Sequence, residues 1–238
     1  MTPIVRRVAL VVPPANPTVE PEIQALAPPG AAIHSARLPL LPGDLAARTA
    51  HYAEHYGAAL AAFGSLPIDA GFIGMTGATY ERLPAGDSAL CEQLQRAAGY
   101  PVITASAAIL AALKALGARS ICLVSPYPAW LTARSVAYWQ GGGMEVAQVV
   151  SMGEEFRAYQ MTTDEVRAAL AQVDDGHDAV VLSGTGLITL PAIVEIAPTM
   201  RAPLLSSNLC GAWWMARVLA LPASKTLLGA VPGFAAAA

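Results

Sequence analysis

Charge is scarce in this chain. Only 13% of its 238 residues are Asp, Glu, Lys or Arg, while 55% are hydrophobic; soluble domains usually carry about 25% charged residues. So little charge implies a large buried core, an oligomer interface or both, and a homo-oligomer is the expected state. The net charge is −3, so the basic excess that a nucleic-acid footprint needs is missing. A cleft for small anions is not excluded by this, because local field and net charge are separate quantities. Long apolar runs are also missing. None reaches the roughly 18 residues that span a membrane. The first apolar stretch, 8–12, reads as a buried strand and not as the core of a signal peptide. Cysteine is limited to Cys91, Cys122 and Cys210, with no C-x-x-C pair. That pattern excludes a zinc knuckle and a disulfide framework, and fits a reducing cytoplasm.

What is present is an alternation. Short Val-, Ile- and Leu-rich runs at 8–12, 70–74, 102–104, 120–124, 145–150, 179–183 and 204–206 alternate with Ala-rich stretches of helical period. Most of the runs lack polar alternation, the mark of parallel strands covered on both faces. The helices fall at about 44–63, 86–98, 106–116, 129–140, 163–173, 191–197 and 209–219. Asp87 is placed to cap the second of these, and Thr162 or Thr163 with Asp164 and Glu165 opens the fifth. Gly117 and Gly141-Gly142-Gly143 end helices, and Pro191 suits a first turn. The fold class is α/β.

Three strand ends occur twice in the same order. Segment 8–14 parallels 121–127, segment 71–79 parallels 179–187, and segment 100–106 parallels 202–208. Each runs into a polar or Gly-rich turn. This repeat predicts two similar lobes, 1–115 and 116–207, with a last helix at about 208–238 packing back on the first. Open α/β sheets bind ligands beyond the carboxyl ends of their strands, so the turns should meet at one cleft.

The residues at these strand ends resemble a known superfamily. Segment 11–22, Val-Val-Pro-Pro-Ala-Asn-Pro-Thr-Val-Glu-Pro-Glu, is similar to the first strand and loop of maleate cis-trans isomerases. Segment 180–190, Val-Val-Leu-Ser-Gly-Thr-Gly-Leu-Ile-Thr-Leu, resembles arylmalonate decarboxylases, and Ser206-Ser207-Asn208 before Ala212-Trp213 is similar to both. These are branches of the aspartate/glutamate racemase superfamily. The resemblance implies two pseudo-symmetric, flavodoxin-like parallel-sheet lobes, cofactor-free chemistry and a small carboxylate or dicarboxylate substrate.

The same resemblance puts Met75 and Gly184 at the two positions where the superfamily offers catalytic cysteines. Neither a thioether nor a glycine transfers a proton. Two-base racemisation and attack by a thiolate from these positions are therefore excluded. Cys122, inside a strand, and Cys210, at a helix start, read as buried structural residues. What remains is binding apparatus. Thr76, Gly77 and Ala78 form one turn, and Thr185, Gly186 and Leu187 the other; their backbone N–H groups and Thr hydroxyls can hold a carboxylate or stabilise an enediolate. Thr and Gly also build tight turns for purely structural reasons. Ser125 and Tyr127 match a turn where the decarboxylases place a tyrosine near the substrate. Pro14, Asn16 and Asn208 complete the substrate-binding set that the resemblance implies. Tyr127, or a bound water, is the expected proton donor in place of the thiol, with Tyr80 as the alternative.

Two rival functions stand beside this one: a water-using hydrolase or hydratase on the same scaffold, and a carboxylate-binding protein without catalysis. A charged side chain facing the cleft would discriminate them. Other signals carry less. His51-Tyr52-Ala53-Glu54-His55 matches H-x-x-E-H, with no third metal ligand in view. Gly184-Thr185-Gly186 is an incomplete dinucleotide fingerprint. Trp213-Trp214 reads as core or interface, and Ser183 lacks a nucleophile elbow.

Overall fold

A computed structural model describes residues 6–236. Its first half contains β1 (Arg6–Val12), α1 (Val19–Leu26), β2 (Ala31–Arg37), α2 (Leu45–His51), α3 (Tyr56–Ala61), β3 (Ala70–Ile73), α4 (Leu83–Ala98), β4 (Val102–Thr104) and α5 (Ala105–Ala115). The second half contains β5 (Ser120–Ser125), α6 (Ala129–Gly141), β6 (Glu145–Ser151), α7 (Thr163–Leu170), β7 (Ala179–Leu182), α8 (Leu190–Ile196), β8 (Leu204–Ser206), α9 (Ser207–Val218) and α10 (Lys225–Ala230).

The strands form two four-stranded parallel sheets with one topology. The orders are β2-β1-β3-β4 and β6-β5-β7-β8. The central strands β1 and β5 are buried along Val8–Val12 and Ile121–Ser125, as apolar strands covered by helices on both faces must be. β1 pairs in register with β3 through Val11 and Ile73, and β5 with β7 through Val124 and Leu182. The two turns that follow β3 and β7 thus leave equivalent strand ends. α9 packs on α5 and α1, where Cys210, Trp213 and Met215 are buried. Trp213 stacks on Phe234 with ring centroids 5.2 Å apart.

Several local expectations are met. Thr162 and Glu165 form a reciprocal capping box at α7. Gly117 takes a φ of +71° just past α5, a conformation glycine adopts without strain. Others are corrected. β2 was not expected: Ala31-Ala32-Ile33-His34-Ser35-Ala36-Arg37 is an edge strand, only half buried, with weak strand formers. α1 was read as loop, yet Pro21 sits in its first turn, where no intrahelical N–H bond is lost. The single helix expected at 44–63 is interrupted by a 3-10 turn at Tyr52–His55. There the Thr49 hydroxyl bonds back to the Leu45 carbonyl, which weakens the ladder.

Asp87 is not a cap. It lies inside α4, is fully buried, and accepts from the Thr104 hydroxyl at 2.8 Å and the Tyr138 hydroxyl at 2.7 Å. Burial raises its pKa from 3.8 to about 6, against the pull of those two donors. The folded state therefore binds this proton more tightly than the unfolded chain. The stability it contributes is complete below pH 3.8 and is lost as pH rises towards 6, a change on the order of 3 kcal/mol. Asp87→Asn is expected to remove this slope. Urea unfolding of both proteins between pH 4 and 6.5 would show the difference, and parallel curves would contradict the assignment.

Candidate active site

One pocket of about 90 Å³ opens between the two sheets, room for a few waters or a small organic acid. Its floor is made of strand-end turns. Pro13, Pro14 and Ala15 follow β1, Met75, Thr76 and Gly77 follow β3, Tyr127 follows β5, and Gly184, Thr185 and Gly186 follow β7. The remaining wall comes from Leu45, Arg48, Thr49 and Tyr52 at α2 and the turn after it, Leu131 on α6, and Phe156, Ala158 and Tyr159 in the loop after β6.

Among the described residues, the amides of Thr76, Gly77, Thr185 and Gly186 donate to no protein acceptor. Buried amides are nearly always paired, so these four are available to a ligand. Among the described residues, Arg48 is the one charged side chain in the lining, and no carboxylate or histidine borders the pocket. Tyr127 is buried at 6% exposure, and its hydroxyl lies 2.8 Å from Thr76 Oγ1. Its ring stacks on Phe156 at 5.9 Å. Burial pushes the Tyr127 pKa well above 10, with the nearby Tyr80 adding to the rise. Tyr127 is thus a proton carrier at physiological pH and not a base.

Gly184 has a φ of +87°. A Cβ there would lie 3.0 Å from Pro126 Cγ and 3.3 Å from the Tyr127 hydroxyl oxygen. The tyrosine hydroxyl therefore occupies the space beside which any side chain at 184 would project. At Gly186 a Cβ would fall 2.5 Å from the Tyr159 ring, so this turn closes only with glycine.

Other sequence-expected residues stand behind this surface. Asn16 is buried; its Oδ1 accepts from the amides of Thr18 and Val19, and its Nδ2 donates to Thr185 Oγ1 at 3.1 Å. Asn208 Nδ2 donates to Glu22 at 2.8 Å and approaches the Thr185 carbonyl at 3.4 Å. Ser125 Oγ lies 2.7 Å from Thr132 Oγ1 and shapes the Tyr127 turn. Ala78 packs in the core of the first lobe. These four brace the turns and do not line the pocket. The Tyr80 hydroxyl is fully buried against Ser183 Oγ at 2.6 Å, outside the lining. Leu187, in the second turn, is buried as well.

Glu22 was missed by sequence reasoning. It is buried on α1, accepts from the amides of Thr189 and Leu190 at 2.7 Å each, and also takes the Thr189 hydroxyl and Asn208. Desolvation raises its pKa, and these four bonds oppose the rise. Glu22 thereby caps α8 across the lobes, so that helix terminus does not face the pocket. Arg48, Thr49 and Tyr52 were missed too, although Leu45, Arg48, Thr49 and Tyr52 at i, i+3, i+4 and i+7 spell one helical face.

Among the described residues no cysteine lines the pocket. Cys122 and Cys210 are buried, and burial holds the thiols of Cys91 and Cys122 at pKa values of about 11 and that of Cys210 higher still. His51 Nδ1 lies 3.1 Å from Glu54 in an exposed pair. Among the described residues no three His, Cys, Asp or Glu side chains cluster as metal ligands.

Fold and pocket together define a two-lobed α/β protein whose site lies at the carboxyl ends of both parallel sheets. The family model for arylmalonate decarboxylase matches residues 8–231. The chain belongs to the arylmalonate decarboxylase family. It is 31% identical to a maleate isomerase of Nocardia farcinica over 96% of this chain and 94% of that one. It is 30% identical to an arylmalonate decarboxylase of Bordetella bronchiseptica over 58% of this chain and 60% of that one. The crystal structure of a maleate isomerase variant from Pseudomonas putida S16 with maleate superposes with a TM-score of 0.86 at 23% identity, covering 95% of this chain and 98% of that one. Among the described residues no helix is long and apolar enough to cross a membrane.

Proposed function

We infer that the protein is a cofactor-independent isomerase or decarboxylase for a small carboxylate, with the Tyr127 hydroxyl delivering the proton that relatives take from a thiol. The observation that carries this reading is the position of Tyr127 Oη, 3.3 Å from the Cβ that Gly184 lacks and 2.8 Å from Thr76 Oγ1. Met75 and Gly184 hold the positions of the two family cysteines. The four free turn amides and the Thr76 and Thr185 hydroxyls receive the carboxylate that is kept; when another carboxylate on the same carbon leaves as carbon dioxide, its bonding electron pair forms the enediolate on the kept one. The enediolate carbon takes the phenolic proton. Thr76 donates to the resulting phenolate, and solvent at the pocket mouth restores the proton.

A water-using hydrolase is less well supported, because among the described residues no Asp, Glu or His borders the pocket to activate water. Arg48 in the pocket lining is the charged side chain that speaks against the rival reading of a carboxylate-binding protein without catalysis. The scarcity of charge fits a homo-oligomer, and three scattered cysteines fit a reducing cytoplasm.

A direct test uses proton NMR in D2O with maleate, malonate and phenylmalonate as probes. Turnover of at least one probe is expected, with one deuterium carried into carbon where the probe loses carbon dioxide. It should persist in the presence of a chelator and after native-state alkylation of exposed thiols. Loss of turnover on alkylation would return the chemistry to a cysteine and overturn the reading.

A further inference from the structure

The pocket has one wall that the strand-end turns do not supply. α2 and the turn after it present Leu45, Arg48, Thr49 and Tyr52 to it. Among the described residues, Arg48 makes one hydrogen bond, from Nε to the Asp44 carbonyl at 3.2 Å, and pairs with no acid. Both of its terminal nitrogens are free. The neighbouring Arg37 is committed: it donates to the carbonyls of Pro13, Pro14 and Asn16 and pairs with Glu20. Arg48 is only half buried, and the lining it belongs to includes the apolar Leu131, Phe156 and Ala158 and, among the described residues, no acid. The Tyr159 phenol feels its charge, being pulled down by Arg48 against a larger upward push from burial.

An unpaired guanidinium fork beside an apolar wall matches the planar, two-oxygen geometry of a carboxylate. The turn amides at Thr76, Gly77, Thr185 and Gly186 form a separate neutral anion site in the same pocket. We propose that Arg48 holds the second carboxylate of a dicarboxylate ligand whose first carboxylate lies on the turn amides. The proposal rests on the carboxylate-site reading above.

Calorimetric titration with succinate and butyrate at constant ionic strength tests this. Both probes have four carbons, and only succinate has the second carboxylate. The wild-type protein is expected to bind succinate about tenfold or more tightly than butyrate, the usual worth of a charged hydrogen-bonded pair. Arg48→Met should bring succinate down to the level of butyrate and leave butyrate within about twofold. Arg48→Lys should recover part of the preference, which separates lost charge from lost packing. Equal weakening of both probes by Arg48→Met, or no succinate preference in the wild type, would overturn the proposal. If neither probe binds the wild type, the carboxylate site itself falls, and the proposal with it.

Discussion

Tyr127→Phe is expected to lower turnover of the active probe by about 10²- to 10⁴-fold, the range over which a positioned general acid contributes. The substitution removes one oxygen and keeps the ring that stacks on Phe156. Its stability cost should stay near 1 kcal/mol, the worth of the hydrogen bond to Thr76. KM should change little, because the turn amides and Arg48 are untouched. Since the phenol pKa lies well above 10, activity should show no basic limb from this group below that pH. Tyr80→Phe supplies the control. It breaks the 2.6 Å contact with Ser183 and shifts the second turn, but leaves the donor in place. A smaller fall is expected there. Full turnover in Tyr127→Phe would remove the tyrosine from the mechanism.

Glu22→Ala should have the largest effect on stability, about 3–5 kcal/mol by chemical unfolding, since several buried donors lose their acceptor at roughly 1–3 kcal/mol each. Two amides, one hydroxyl and the Asn208 carboxamide would lose their acceptor together. Glu22→Gln should cost much less, since its carbonyl still accepts the Thr189 and Leu190 amides. The Asn208 Oδ1, buried without a partner, could turn to meet the new NH2 group. The damage would also reach the site, because Asn208 supports the Thr185 carbonyl. A loss below 1 kcal/mol in Glu22→Ala would mean that this network contributes little to holding the lobes together.

The parts of the fold that the sequence made legible share a physical cause. Strands buried on both faces must be apolar runs, and the turns after them must be small or polar, so segments 70–79 and 179–187 announce themselves. The repeat followed from the same constraint. β2 did not, because an edge strand of Ala, His and Ser needs no apolar period. Asp87 looked like a cap in sequence, and only the tertiary position of Tyr138 and Thr104 turns it into a buried acceptor. The site divides in the same way. Thr76, Tyr127, Thr185 and Gly186 lie on the sheet ends and were foreseeable. Arg48, Tyr52, Phe156 and Tyr159 reach the pocket from a helix, the turn after it and a long loop, and their place depends on packing between distant segments. Glu22 pairs with a helix end 167 positions away, a link that no local pattern reveals.

The most direct test is a crystal structure with succinate bound. One carboxylate should lie within hydrogen-bond distance of the Thr76, Gly77, Thr185 and Gly186 amides. The adjacent carbon should face Tyr127 Oη, and the second carboxylate should lie on Arg48. Succinate bound outside this pocket, or inside it with Tyr127 turned away and the turn amides empty, would contradict the account.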